Sequence, residues 1–224
     1  MPYDLCVCVP PKEAAHAVKL AGEIGWDGLC LLSEKKDHNA MNKAVKGTAM
    51  DVSLGLLLEP KDRNDLGKKI SSERKGFEVI AVKSADPEIC RVASENSKVD
   101  ILAGWEAAER NPVNYITAKA AAESGVSIAF SLGSLIRAYD RSRAGIMSKL
   151  LDTAKLVRKY GSPLVLTSGA VSFWGLRSPS EIMAFGSMLG FNGVQAKKGL
   201  SPELLEKNRE RLSDGWVMPG VKKK

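Results

Sequence analysis

The stretch that decides the fold is residues 164–185, which read LVLTSGAVSFWGLRSPSEIMAF. Its first four residues form an apolar run bounded by Pro163 and Gly169, which is typical of a buried parallel strand. Its last part predicts an amphipathic helix, because Ser178 can cap it, Pro179 suits its first turn, and Glu181 completes a capping box. The stretch therefore predicts one strand-loop-helix unit of an α/β protein.

The loop between this strand and helix has two interpretations. It contains Ser168, Gly169, Ser172, Gly175 and Arg177. Free backbone N–H groups, a helix start and an arginine can together hold an anion. The simpler alternative is an ordinary strand-to-helix connection, because glycine and serine are the usual loop residues.

The size and charge of the chain restrict its class. It has 224 residues, of which 44% are hydrophobic, and this is enough for one sizeable core. Its 33 Lys and Arg against 26 Asp and Glu give a net charge of +7, which favours polyanionic partners. We expect a single barrel domain over residues 1–213 and a C-terminal tail over residues 214–224.

The cysteines and the N-terminus indicate a cytoplasmic protein. Cys6, Cys8, Cys30 and Cys90 match neither a zinc spacing nor a small disulfide framework, which predicts reduced, buried thiols. The N-terminus MPYDLCVCVPPKE does not have the pattern of a signal peptide. No run approaches the roughly 18 apolar residues of a membrane span, so we expect no membrane partner.

Short apolar runs alternate with helical patterns along the whole chain. The runs predict strands at residues 3–9, 28–32, 52–58, 77–83, 100–103, 126–132, 164–167 and 193–196. Helical patterns separate them and the last one covers residues 202–212, which gives eight strand-helix units. Strict alternation implies a parallel sheet, and eight units predict a TIM-barrel-like (β/α)8 fold. An open doubly wound sheet is the alternative and needs fewer strands.

The predicted strand ends carry few groups for catalysis. Active sites of such barrels lie at the carboxyl ends of the strands. Glu59 and Glu106 fall there and could serve as an acid and a base, but only the predicted fold brings them together. His16 and His38 are the only histidines, and each is interpreted as structural or exposed. A metal-dependent hydrolase would need several convergent ligands.

The positive residues are more abundant than these catalytic candidates. The cations occur in most units, and Arg177 and Lys197 are expected on neighbouring loops at one barrel mouth. Arginine suits bidentate phosphate contacts, whereas lysine acts as a point charge. A solvated outer helix face is the alternative for more than half of the cations. Trp174 could stack on a base or pack against a strand end.

Several segments resemble ribonuclease P protein component 3 of archaea, the counterpart of the thirty-kilodalton eukaryotic subunit. They are Leu166-Thr167-Ser168-Gly169-Ala170, Leu176-Arg177-Ser178-Pro179 and Val194-Gln195-Ala196-Lys197, together with Phe130-Ser131-Leu132 and the helix over residues 151–160. The resemblance runs over most of the chain and is strongest over residues 101–200. It rests on the order and spacing of these segments.

The resemblance implies a TIM-barrel-like subunit of the ribonucleoprotein that removes 5′ leaders from precursor tRNA. In that family the RNA carries the active site, so the isolated protein is expected to be non-catalytic. The implied partners are the ribonuclease P RNA, a smaller α/β protein subunit and, indirectly, precursor tRNA. The resemblance also implies no cofactor on the protein itself, with Mg²⁺ bound through the catalytic RNA.

The same resemblance implies six RNA-binding residues and no catalytic or metal-binding ones. The six are Arg91, Arg110, Lys119, Lys155, Arg177 and Lys197. Position 133 departs from the family pattern, because it is Gly where a basic residue is expected. The more distant metal-dependent phosphoesterases begin with His-x-His, and this chain has Cys6-Val7-Cys8 there, which argues against metal hydrolysis.

The remaining alternative is a stand-alone barrel enzyme acting on a small phosphorylated substrate. The loop over residues 168–178 would hold the phosphate, and Glu59, Lys83 or Glu106 would supply the acid or base. Composition and pattern alone indicate only a basic, cytosolic α/β barrel.

Overall fold

Seven parallel strands form a nearly closed barrel in which each strand pairs with the next in the chain. The structure is a computed structural model and describes residues 1–213, 216–218 and 221–222. The barrel strands are β1 Tyr3–Val7, β2 Gly28–Ser33, β3 Asp51–Leu58, β4 Val79–Lys83, β5 Ile101–Ala103, β6 Ser127–Ser131 and β7 Leu164–Thr167. The predicted TIM-barrel-like fold is confirmed, and the first seven predicted strands lie where they were expected.

Helices surround the barrel. They are α1 Ala14–Glu23, α2 His38–Val45, α3 Arg63–Glu73, α4 Pro87–Ser94, α5 Tyr115–Ser124, α6 Leu132–Arg137, α7 Asp140–Tyr160, α8 Pro179–Met188, α9 Gly193–Lys198 and α10 Glu203–Leu212. Their starts follow the chain's cap residues: Asp86, Asn114 and Ser178 each accept hydrogen bonds from backbone N–H groups of the helix they precede. The capping box of Ser178 and Glu181 is formed as predicted.

The strands alternate between two apolar layers, as the pleat requires. One set of buried side chains fills the barrel interior, and the other lies between the strands and the helices. The interior set includes Leu5, Cys30, Leu32, Val79, Ala81, Ile101, Ala129 and Val165. The outer set includes Val7, Leu29, Leu31, Leu56, Ile80, Leu102, Ile128 and Leu166.

Helix α10 closes the amino end of the barrel. Its Leu205 is fully buried with the interior set. Asn208 donates to Asp100, the residue before β5, at 2.9 Å. Arg209 makes a bidentate contact with Asp51 at the start of β3, with both N···O distances at 2.7 Å. These contacts hold α10 across the amino end of the barrel, and the opposite, carboxyl end is its mouth.

The predicted eighth strand at residues 193–196 is wrong, because this segment is helix α9. Asn192 and Gln195 form a second capping box, which starts a helix there. Two residues that follow α9 accept the hydrogen bonds that an eighth strand would accept. The carbonyl of Gly199 accepts from Leu166 N at 2.9 Å, and the carbonyl of Leu200 accepts from Tyr3 N at 2.8 Å. A Cβ on Gly199 would come within 2.8 Å of Leu164 Cδ1, so the approach requires glycine.

A buried carboxylate joins β7 to β1. Asp4 accepts from Cys6 N at 3.4 Å, from Ser168 N at 3.1 Å and from the hydroxyls of Thr167 and Ser168. Toward the mouth, Cys8 N donates to Ala170 O at 2.8 Å. Burial raises the pKa of Asp4, and the hydrogen bonds from Ser168 and Thr167 lower it. The seam between the first and last strands is therefore closed by one side chain and a few backbone bonds rather than by a full ladder.

Two further segments complete the described chain. The short helix α6 follows β6 directly and was not predicted; Ser131 caps it by accepting from Ser134 N at 3.3 Å. Within the expected tail, β8 Trp216–Met218 pairs antiparallel with β9 Val221–Lys222. The rest of the tail, at 214–215, 219–220 and 223–224, lies outside the described residues, and the predicted domain boundary at residue 213 stays a prediction.

We expect Asp4→Ala to lower the free energy of unfolding by about 2–5 kcal/mol, because it leaves the buried N–H and hydroxyl of Ser168 without an acceptor, whereas the Thr167 hydroxyl keeps Cys6 O at 3.2 Å. The measurement is urea denaturation of the full chain. Asp152→Ala is the matched control, since Asp152 is an exposed carboxylate paired with Lys155 at 3.1 Å, and its loss should cost about 0–1 kcal/mol. An equal effect of the two variants would contradict the assigned role of Asp4.

Candidate nucleic-acid interface

Three of the six predicted RNA-binding residues lie on neighbouring outer helices. Arg91 is on α4, Lys119 on α5 and Lys155 on α7, and all three side chains are exposed. Each one lies beside an acid on its own helix. The N···O distances are 3.6 Å for Arg91–Glu95, 3.8 Å for Lys119–Glu123 and 3.1 Å for Lys155–Asp152. Exposed pairs of this kind are weak, so a phosphate can displace the acid, but the neighbouring negative charge reduces the attraction.

The other three predicted RNA-binding residues lie on different parts of the barrel's outer surface. Arg110 is exposed on the connection between β5 and α5, where the adjacent Asn111 donates to Thr153 Oγ1 on α7 at 3.0 Å. Arg177 ends the connection before α8 and is half-buried. Its carbonyl accepts from Trp26 Nε1 at 2.8 Å, and Nη1 of its guanidinium donates to Leu176 O at 2.7 Å.

Lys197 does not lie on a strand-end loop. It is exposed on helix α9, the segment predicted to be the eighth strand. The expectation that Arg177 and Lys197 share two neighbouring loops at the barrel mouth is therefore wrong for Lys197. Its helix packs beside β7 through Gly199, at the level of Leu164 and Leu166 rather than beyond the carboxyl end of the strand.

The glycine- and serine-rich connection after β7 does bind a carboxyl group, but that group is the protein's own Asp4. The backbone N–H and hydroxyl of Ser168 donate to Asp4. At the far end of the connection, Glu181 Oε2 accepts from Ser178 N at 2.7 Å and lies at the start of α8. The donors of Ser168 and the start of α8 are each occupied by a carboxyl group of the protein, which agrees with the simpler interpretation.

The barrel mouth holds a small group of charged side chains. Lys83 at the end of β4 pairs with Glu59 at 2.8 Å. Arg137 at the end of α6 donates to Gly169 O at 3.1 Å, which ties α6 to the connection after β7. The Cys8 thiol is half-buried beside them, and its pKa is lowered by a hydrogen bond from Cys6 and by the charge of Lys83.

Glu106 is a buried carboxyl at this end of the barrel. Only 3% of the residue is exposed, and burial raises its pKa. It lies near Ser134, Arg137 and Lys149, whose interactions lower the pKa again. Glu59, by contrast, is exposed and paired with Lys83. The two predicted acid and base candidates thus have separate partners.

Both histidines pack against aromatic rings. His16 lies 5.8 Å from the Phe173 ring, and His38 lies 4.7 Å from the Phe77 ring, measured between centroids. In the part of the chain that the structure describes, no group of three His, Cys, Asp or Glu side chains could hold a metal ion. Across those same residues, no helix combines the length and apolar character of a membrane span.

Close packing explains why position 133 is a glycine in this chain. An added Cβ would come within 2.6 Å of Ser168 O, so α6 can approach the β7 connection only without a side chain there. The Nη1 atom of Arg137, one turn later, lies 2.6 Å from the position of that added Cβ. The guanidinium of Arg137 therefore lies where a side chain at position 133 would begin.

The corner between α6 and α7 was not predicted from the sequence. The arginines at 137, 141 and 143 are visible in the sequence, but Tyr139 between them gave no signal until α6 was placed. Tyr139 is 73% exposed and Trp174 is 75% exposed, which excludes core packing for Trp174. The signal that could have found α6 is Ser131, a cap residue directly after an apolar strand.

Together, the fold and these surfaces define a basic parallel α/β barrel with cations on its outer wall and at its mouth. The family described as RNase P subunit p30 matches residues 1–213. The chain belongs to this family, which is that of a protein subunit of ribonuclease P.

Individual relatives agree with this assignment. Ribonuclease P protein component 3 of Halobacterium salinarum is 29% identical, with 97% of this chain and 95% of the relative covered. The protein of the same name from Methanosarcina mazei is 32% identical, with 98% and 94% covered. A chain in a cryo-EM structure of archaeal ribonuclease P with mature tRNA shares the fold at a TM-score of 0.84 and 20% identity, covering 98% of this chain and 96% of that one.

The thiols offer a direct probe of the mouth. Cys8 should be alkylated by iodoacetamide before Cys6, Cys30 and Cys90, because the pKa values of the other three thiols are raised by burial or, for Cys6, by its bond to Cys8. We expect Lys83→Met to slow the alkylation of Cys8 by about 3- to 10-fold, since it removes the cation that favours the thiolate.

Glu59→Gln is the matched control for Lys83→Met, because Glu59 raises the pKa of Cys8 and its removal should speed the reaction. The rate of each thiol is followed by mass spectrometry. Slower alkylation in both variants would contradict this electrostatic arrangement.

Proposed function

We propose that the chain binds and supports the catalytic RNA of ribonuclease P while that RNA removes 5′ leaders from precursor tRNA. The observation that carries the proposal is the family match over residues 1–213, the same span that folds into the barrel with exposed cations. The protein neutralises RNA phosphates and so stabilises the compact RNA fold. The ribonucleoprotein performs the cleavage, and the isolated chain performs none.

The side chains at the mouth support a non-catalytic role. Glu59 is held by Lys83, and Glu106 is buried with a raised pKa. The two histidines are packed against Phe173 and Phe77. We therefore assign Mg²⁺ to the RNA, as a counterion and catalytic ion of the ribozyme. A small α/β protein subunit is the proposed protein partner, and precursor tRNA is reached indirectly through the RNA.

We propose two cationic surfaces for the RNA. One is the stripe formed by Arg91, Lys119 and Lys155 across α4, α5 and α7. The other comprises Arg110, Arg177 and Lys197, which lie on connections and on α9 and form no ion pair among the described residues. Arg110 and Lys197 are exposed, and a phosphate need not displace an acid from either of them. Arg177 is half-buried and lies near Glu181, whose pKa its charge lowers.

Reconstitution tests the proposed function directly. Archaeal ribonuclease P RNA and the small protein subunit are assayed for cleavage of precursor tRNA at low Mg²⁺, with and without this chain. We expect cleavage to rise at least about tenfold when the chain is added, because bound cations replace part of the Mg²⁺ needed to fold the RNA. Equal cleavage with and without the chain would contradict the proposal, as would cleavage by the chain without RNA.

Arg177 tests the phosphate contacts individually. We expect Arg177→Ala to weaken RNA binding on the order of tenfold at moderate salt and to reduce the slope of log K against log [salt] by about one. Affinity is measured by filter binding over a salt series. Lys68→Ala is the matched control, since Lys68 is an exposed cation on α3, and it should change neither value. An unchanged slope in Arg177→Ala would remove Arg177 from the interface.

A further inference from the structure

The corner between α6 and α7 is an exposed cationic segment at the barrel mouth. We name residues 136–143 the α6–α7 corner. It follows the mouth residues of β6, and the backbone of α6 is bonded to the β7 connection through Gly133 N and Ser168 O at 2.8 Å. All residues from 139 to 145 are exposed. The corner therefore projects from a firmly attached helix.

The arginines of the corner differ from the cations of the outer helices. Among the residues that the structure describes, Arg137, Arg141 and Arg143 form no ion pair, whereas Arg91 and Lys119 each lie beside a glutamate. Arg137 donates to Gly169 O at 3.1 Å, and Arg143 donates to Ala138 O at 2.8 Å. These contacts to neutral carbonyls fix both side chains without an ion pair, and Arg137 also lies near the buried carboxyl of Glu106.

A tyrosine ring lies in the middle of these charges. Tyr139 is 73% exposed, and the guanidinium carbon of Arg143 lies 5.6 Å from the centre of its ring. The cation supports the ring from one face and leaves most of it in solvent. An exposed aromatic ring normally has no stability benefit, so a ring held in this way is available for stacking.

We propose that the α6–α7 corner binds unpaired nucleotides of the RNA, with Tyr139 stacking on a base and Arg137 and Arg141 contacting the adjacent phosphates. A base face matches the flat ring, and phosphates on either side match the unpaired guanidiniums. Base-paired RNA hides its base faces and would use only the charges. An acidic protein surface would likewise leave the ring without a function. The inference rests on the proposed function and deepens it by naming single-stranded RNA at a defined surface.

The test compares tyrosine variants of the full chain. The probes are a labelled single-stranded oligouridylate of about 10 nucleotides, an RNA duplex and archaeal ribonuclease P RNA. We expect Tyr139→Ala to weaken binding of the oligouridylate by about 5- to 100-fold and binding of the duplex by less than about twofold. Tyr139→Phe keeps the ring and should bind within about twofold of the wild type.

Two further variants serve as controls. One tests whether the loss of any exposed tyrosine weakens binding, and the other measures the contribution of charge. Tyr115→Ala removes another exposed tyrosine, at the start of α5, and should leave RNA binding unchanged. Arg141→Ala should reduce the salt slope for the oligouridylate by about 0.7, the value for one contact with a single strand. Circular dichroism confirms that each variant is folded.

Each unfavourable outcome has a distinct meaning. Equal binding by Tyr139→Ala and the wild type would overturn the inference. So would a loss confined to assembly with the small protein subunit, which would make the corner a protein interface. If the wild-type chain neither binds ribonuclease P RNA nor stimulates cleavage, the proposed function fails as well. If the wild type does both and Tyr139→Ala matches it, only the inference fails.

Discussion

The hydrogen bonds that Asp4 accepts from Thr167 and Ser168 are the contacts on which the rest of the structure depends. A barrel of this class is normally closed by an eighth strand, whose backbone pairs with the first and seventh. Here a single carboxylate crosses that seam, assisted by the Cys8–Ala170 bond and by the carbonyls of Gly199 and Leu200. A side chain can bridge this gap because burial strengthens each bond and because a lost acceptor would leave several donors unpaired.

This form of closure determines which surfaces remain for function. In place of an eighth barrel strand, the described chain after β7 continues through α8, α9 and α10, and α10 packs across the amino end of the barrel with Leu205 and Arg209. The N–H and hydroxyl of Ser168, at the start of the connection after β7, hold Asp4 and so are not free for a substrate phosphate. What remains exposed is the outer wall and the carboxyl mouth, where cations predominate. A rigid barrel with such surfaces suits a protein that acts by shape and charge on a large RNA.

Much of this fold could be predicted from the sequence, because the apolar runs and cap residues alternate clearly. The eighth unit was the exception: Gly193 to Ala196 reads as a short apolar run, yet Asn192 and Gln195 three residues apart are a capping box that local reading could have detected. The role of Asp4 at the seam could not be assigned, since Thr167 and Ser168 are more than 160 residues away in the chain. For the interface, the sequence could predict which residues are cations but not which of them are unpaired. Whether a cation has a carboxylate beside it depends on neighbouring helix turns and on tertiary contacts.

The difference between paired and unpaired cations determines where we expect RNA to bind. Arg137, Arg141 and Arg143 form no ion pair within the described residues, whereas Lys83 at the mouth is paired with Glu59. The most direct test is modification of arginines by phenylglyoxal, read by mass spectrometry, in the free chain and in the assembled ribonucleoprotein. The account predicts that Arg137, Arg141 and Arg177 become protected on assembly, whereas Arg63 on α3 stays reactive. Unchanged reactivity at all three protected positions, or protection of Arg63 alone, would contradict it.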